Sequence, residues 1–159
     1  MSDLLTKNTV VTIDKKEIFK EIPSFSPKKD KLGRSYGTGR RKTSVARVWI
    51  KSGTGKIIVN KKDINNYFKR NTHVQVALTA MVVSNVMQQF DIMCTVKGGG
   101  YSGQAGAIKL GAARALNNFN PEVHNILRQS RCLTCDSRRV ERKKAGKLKA
   151  RKSRPFAKR

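Results

Sequence analysis

Carboxylates are scarce in this chain. Ten Asp and Glu stand against thirty-five Lys and Arg, a net charge of +25 at pH 7 over 159 residues. Charge of that size opposes compaction unless an anionic partner cancels it, and it exceeds what solubility requires. Residues 1–30 carry six bases and five acids, so residues 31–159 carry the remaining +24. That asymmetry points to a polyanion, with nucleic acid as the first choice. The shortage of acids also leaves catalysis little to work with. Past residue 30 the carboxylates are Asp63, Asp91, Glu122, Asp136 and Glu141, and the last two sit among arginines that would pair with them. His73 and His124 stand singly. No nucleophile, base and orienting group come together, so no enzyme and no cofactor are expected.

Long apolar runs are missing too. The nearest approach, Val74–Phe90, is interrupted by Gln, Thr, Ser and Asn and falls short of the ~20 apolar residues that a membrane span needs. The N-terminal stretch has no segment resembling a signal peptide, and Asp3, Asp14, Glu17 and Glu21 argue against an acid-poor transit peptide. A reducing compartment follows as the expectation, with the three cysteines as thiols or ligands and not disulfides. Two of them form a lone CLTC, Cys132 and Cys135. Tetrahedral zinc wants four ligands, and only Cys94, His73 and His124 could add to the pair, so no metal site is expected there. Aromatics make up 6% of the chain, with one Trp and three scattered Tyr. No row of rings for stacking splayed bases is visible, and base-specific reading is not expected.

What is present is alternation. From Thr43 to Ile50, Val45, Arg47 and Trp49 fall on one side and Ala46, Val48 and Ile50 on the other, which predicts a strand. SGTG and KIIVN follow, predicting a hairpin partner, and Asp63 is placed to cap a short helix over DINNYF. Val74, Leu78, Met81, Val82, Val86 and Phe90 recur at helical spacing. FDIMCTVK predicts a strand with Ile92, Cys94 and Val96 facing one way. Ala105, Ile108, Ala112, Ala115, Leu116 and Phe119 predict a helix over 102–119, and its small residues would let it lie close against a sheet. PEVHNILRQS predicts one more short helix. The expected architecture is a mixed α/β (α+β) core over 36–131, a sheet of about four strands with helices packed on it. A polar, mostly disordered extension over 1–35 precedes it, and a basic, extended arm over 132–159 follows.

Two glycine motifs need sorting. Gly98, Gly100 and Gly103 make a formal GxGxxG between a strand and a helix. No acidic residue closes a following strand and no second βαβ half exists, which excludes a dinucleotide fold. The physics of the loop survives: glycines permit close backbone approach, and free N–H groups at a helix start attract phosphate. GTGRRKT fails as a nucleotide P-loop because Arg41 stands where the second glycine belongs. Its three consecutive bases still favour a phosphate contact.

From Arg138 to Arg159, twelve of twenty-two residues are basic and one is acidic. Interleaved Gly and Ala suit a strand that threads between phosphate backbones and folds on binding.

Together, YGTGRRKTSVARVWI, VKGGGYSGQAGAIKLGAARAL, the run Asp136–Lys144 and the closing Lys158-Arg159 resemble the bacterial-type small-subunit ribosomal protein S-nine family over residues 36–159. The resemblance implies a structural component of the small-subunit head that binds ribosomal RNA beside neighbouring ribosomal proteins, with no membrane partner. It also implies a left-handed βαβ crossover. The C-terminal arm would reach the anticodon arm of the P-site transfer RNA, with Lys158 and Arg159 at its tip. Arg40, Arg41 and Lys42, and the loop residues Gly98, Gly99, Gly100, Ser102, Gly103 and Gln104, would contact ribosomal RNA. So would Arg138, Arg139, Arg142, Lys143, Lys144, Lys147, Lys149, Arg151, Lys152 and Arg154 along the arm. Cys132 and Cys135 depart from the family pattern, as does Ala157. The compartment implied is a bacterial cytoplasm, with a mitochondrial or other organellar matrix as the alternative. A free-standing RNA-binding protein or RNA chaperone is the rival reading.

Overall fold

The computed structural model describes residues 27–156. Of the extension expected to be disordered over 1–35, residues 1–26 lie outside the described residues; a hydrogen-bonded turn over Asp30–Arg34 then leads into the first strand at Ser35. A five-stranded sheet forms from β1 (Ser35–Arg41), β2 (Ser44–Ser52), β3 (Ile57–Val59), β4 (Lys62–Asp63) and β5 (Phe90–Lys97), in the order β1-β2-β5-β3-β4. Helices α1 (Ile64–Tyr67), α2 (Asn71–Val83), α3 (Tyr101–Phe119) and α4 (His124–Gln129) accompany it, and a 3-10 turn at Pro121–Val123 links the last two.

The alternating segments form strands as the pattern requires. Ala46, Val48 and Ile50 of β2 and Ile92, Cys94 and Val96 of β5 point into one core. Each fully buried aliphatic side chain there contributes ~1.5–3 kcal/mol. Asp63 caps α1, its carboxylate accepting from the Asn65 amide at 3.1 Å. Asn120 does the same for the 3-10 turn through Glu122.

The predicted hairpin between β2 and KIIVN does not form. The segment is a strand, β3, but β5 lies between it and β2, antiparallel to β2 and parallel to β3. Asp91 explains how the chain leaves β2. One oxygen of its carboxylate accepts the amides of Thr54, Gly55 and Lys56, each at 2.9 Å. That loop is thereby folded onto β5 instead of closing a two-strand ribbon. The same amides, Lys56 foremost, hold the Asp91 carboxyl below its ordinary range.

The partner of β2 on its other side is β1, SYGTGRR, in which the β-formers Tyr36 and Thr38 alternate with glycine. Its inward glycines meet the small residues of α3. A Cβ on Gly39 would fall 1.8 Å from the Ala107 carbonyl oxygen, and one on Gly37 2.3 Å from that of Gly111. Helix and strand therefore touch backbone to backbone, as the small-residue face of α3 predicts.

Helix α2 stops earlier than its apolar spacing suggests. Asn85 takes a left-handed φ of +54 after Val83. Its amide bonds Val82 at 3.0 Å, and that of Val86 bonds Met81 at 3.1 Å. This is the Schellman closure, with asparagine in the place that glycine usually holds. Phe90 consequently begins β5, and Val82, predicted inward, is 58% exposed. The buried face of α2 is Ala77, Ala80 and Met81.

Candidate nucleic-acid interface

Strands β1 and β2 turn through Lys42 and Thr43, after the last pair Arg41↔Ser44. Lys42 sits there with φ +53, a conformation costing a non-glycine residue about 1–2 kcal/mol, and its side chain is exposed. Two other parts of the predicted interface dock onto this turn.

The first is the glycine loop ahead of α3. Gly98 and Gly99 have φ of +75 and +63, and a Cβ on either would strike Thr43 or Ser44. Only glycine fits both demands. The Ser44 hydroxyl donates to the Gly98 carbonyl at 3.0 Å, and the Gln104 amide donates to the same oxygen at 3.2 Å. The Gln104 carbonyl oxygen in turn accepts the Tyr67 hydroxyl at 2.8 Å. Gln104 thus positions the loop. Gly100 precedes α3 with no side-chain cap, so first-turn amides face outward with a partial positive charge. Ser102 is exposed beside them.

The second is the root of the C-terminal arm. Arg41 extends one guanidinium nitrogen to the carbonyls of Asp136 and Arg138, at 3.3 and 2.7 Å, and the other to the Asp136 carboxylate at 2.8 Å. Arg138 returns on the same carboxylate at 2.8 Å and donates its backbone amide to it at 3.0 Å. Hydrogen bonds from Arg138, with the charges of Arg138 and Arg41, hold the Asp136 carboxyl far below the usual carboxylate range. The same contact raises the Arg138 guanidinium. Arg41 is therefore bound to the arm, while its neighbours Arg40 and Lys42 are exposed.

Beside this clamp lies a groove of about 450 Å³ whose cationic lining is Arg40, Arg41, Lys109, Arg131 and Arg138, with Ser102 and Thr134 between them. Lys109 and Arg131 were not among the residues singled out from the sequence. They come from the middle of α3 and the end of α4, and neither belongs to a basic run. Arg131 has φ +51 directly after α4, a placement the sequence does not announce. Its amide bonds Arg128 at 3.0 Å and the Cys132 amide bonds Leu127 at 2.9 Å, a second Schellman closure. Cys132 is 1% exposed in the core, where the motif places its apolar contact with Leu127. Cys135 is exposed, with its thiol on the Arg40 carbonyl at 3.6 Å. The two thiols of CLTC thus serve different neighbourhoods. Among the described residues no group of three or more His, Cys, Asp or Glu is placed to hold a metal.

Beyond Arg139 the arm has no regular secondary structure. Glu141 pairs with Lys144 at 3.4 Å and Arg151 at 2.8 Å, both at the surface, where such pairs contribute little. Among the described residues Arg139, Arg142, Lys143, Lys147, Lys149, Lys152 and Arg154 make no ion pair, and all but the half-buried Lys147 are exposed. Lys158 and Arg159 lie outside the described residues. No described helix is long and apolar enough to cross a membrane.

Comparison with known proteins identifies the family. The chain is 53% identical over 130 residues to the small ribosomal subunit protein uS9 of Rickettsia africae, covering 82% of each chain. It is 46% identical over 164 residues to that of Rickettsia felis, covering 100% of each. The relative from Rickettsia massiliae is 48% identical over 147 residues. The sequence model described as Ribosomal protein S9/S16 matches residues 39–159, from the glycine-bearing β1 to the end of the basic arm, and the chain belongs to that family.

Proposed function

We propose that the chain is a structural protein of the small ribosomal subunit that binds ribosomal RNA through the surface around its β1–β2 turn and reaches the P-site transfer RNA with its basic arm. The observation that carries the reading is a convergence. The exposed bases Arg40 and Lys42, the uncapped start of α3 and the root of the arm gather around one turn, the last two held by its flanking residues Ser44 and Arg41. Phosphates are the ligand common to the three. Arg40, Lys42 and the amides around Ser102 contact backbone phosphates, Arg41 and Gln104 position them, and Arg139 to Arg154 line the path of the arm. The mechanism is charge neutralisation and positioning, with no covalent chemistry. Lys158 and Arg159 form the contact with transfer RNA. A bacterial cytoplasm is the compartment that fits the Rickettsia relatives.

Deleting Lys158 and Arg159 should leave subunit assembly intact and weaken transfer-RNA retention in the P site at low magnesium. Unchanged occupancy would refute the role of the arm's tip. Sedimentation separates this reading from a free-standing chaperone. A subunit component stays with small-subunit particles through a moderate salt wash, whereas a chaperone is released.

A further inference from the structure

One face of the sheet is covered by α3, on which α2 packs, and the other is open. On the open face the register places Tyr36 beside Trp49, Trp49 beside Met93 and Met93 beside Ile58, one residue from each of four adjoining strands. The sequence predicts no row of rings because Tyr36 and Trp49 are thirteen residues apart; the β1–β2 hairpin makes them cross-strand neighbours. Their ring centroids lie 5.3 Å apart at a tilt of 46°. Tyr36 is 39% exposed, Ile58 39% and Met93 55%. With strands ~4.8 Å apart the row runs for ~14 Å, room for two or three bases.

Charge decides what such a face receives. Arg47 lies with its guanidinium 5.2 Å from the Trp49 ring and 5.9 Å from Tyr36. Arg40 and Lys97 flank Val45 in a parallel row on the same face. Asp91 and Asp63 are the acids on this side. Asp91 is bound to three backbone amides and Asp63 caps α1. A second copy of a chain carrying +25 would repel this face, and an acidic protein would leave the rings without flat partners. A nucleotide offers both a flat base and a phosphate.

We propose that the open sheet face around Tyr36 and Trp49 is a platform on which unpaired bases of ribosomal RNA stack. The proposal rests on the RNA-binding reading above and assigns a further contact surface, which adjoins the β1–β2 turn at Arg40 and extends away from it across the sheet. Ring stacking holds the bases, Arg47 swings from the rings onto a phosphate, and Arg40 and Lys97 hold the flanking phosphates. Recognition at this surface tolerates sequence and requires single strands.

Trp49 is the only tryptophan in the chain, so its fluorescence reports on this surface alone. The full-length protein is titrated with a single-stranded RNA of about eight nucleotides and with a duplex of equal length. Labelled RNA anisotropy is read in parallel. The single strand should quench Trp49 and the duplex should not. Tyr36→Leu, with its fold checked by circular dichroism, should weaken single-strand binding about tenfold and leave duplex binding unchanged. Trp49→Leu, followed by anisotropy, should do the same. RNA bound by anisotropy without quenching, or equal quenching by duplex, overturns the platform and leaves the RNA-binding reading standing. A Trp49 response only to other head proteins assigns the face to protein and also overturns it. No binding of either RNA at low salt would sink the broader reading itself.

Discussion

Replacing Arg131 by glycine should make the protein more stable and a poorer binder of RNA. The residue closes α4 at φ +51, where an L-residue is disfavoured by about 1–2 kcal/mol. Glycine relieves that strain but loses about 0.5–1 kcal/mol more in ordering its backbone. The net gain is about 0–1.5 kcal/mol, which for a domain near 100 residues moves Tm up by as much as about 12 °C. The same change removes one cation from the groove shared with Arg40 and Lys109. If Arg131 neutralises one phosphate, the slope of log affinity against log salt becomes shallower by about 0.7–0.9. Thermal unfolding and RNA titration across a salt series, both on the full chain, read the two effects separately. Arg131→Lys is the control: it keeps both charge and strain, so neither quantity should move much. A glycine variant that is less stable refutes the strain argument. One whose salt slope is unchanged refutes the placement of Arg131 in the interface.

Two further predictions concern the core. Gly39→Ala should destabilise the fold by at least ~2 kcal/mol, because its methyl would lie 1.8 Å from a helix carbonyl; a urea midpoint close to wild type would show that β1 and α3 are not in backbone contact. Burial pushes the Cys94 thiol up to about 12, whereas an unfolded thiol ionises near 8.5. The neutral thiol therefore supports the fold fully below about pH 8, and stability falls as pH rises through about 8.5 toward 12, by roughly 1.4 kcal/mol per unit. Urea titrations at several alkaline pH values should show that slope, and Cys94→Val should lessen it; equal slopes in both proteins would refute burial as the cause.

The elements legible in the sequence are those whose signal is local. Period-two alternation defines β2 and β5, helical spacing with small residues defines α3, and Asp63 announces α1. The failures share one cause, contact between distant segments. Strand β1 has only Thr38 as a β-branched residue, and its inward positions Gly37 and Gly39 must be glycine for α3 to approach. Glycine reads locally as turn, and its strand character appears only when β2 pairs with it. The β2–β3 hairpin fails because β5, thirty residues later, takes the place between them. Helix α2 ends at Asn85, a left-handed closure that spacing alone overrides. At the interface, basic runs are visible in the sequence, whereas Lys109 and Arg131 acquire a role only when α3 and α4 place them beside the β1–β2 turn.

The basic arm carries the same lesson into function. Charge makes it a ligand for RNA but gives it no direction, since a polycation beside a polyanion has many equivalent poses. Direction comes from Arg41, which grips the carbonyls of Asp136 and Arg138 and so fixes where the arm leaves the domain. Those contacts are to backbone oxygens, which persist whatever the side chains beyond them do. The carboxylate of Asp136 meanwhile holds Arg41 and Arg138 together, preventing two guanidinium groups from repelling at the exit point. Of three consecutive bases at the turn, the last two residues before Thr43 are thus differentiated by structure: Arg41 aims the arm, and Lys42, strained at φ +53, holds its side chain in the open.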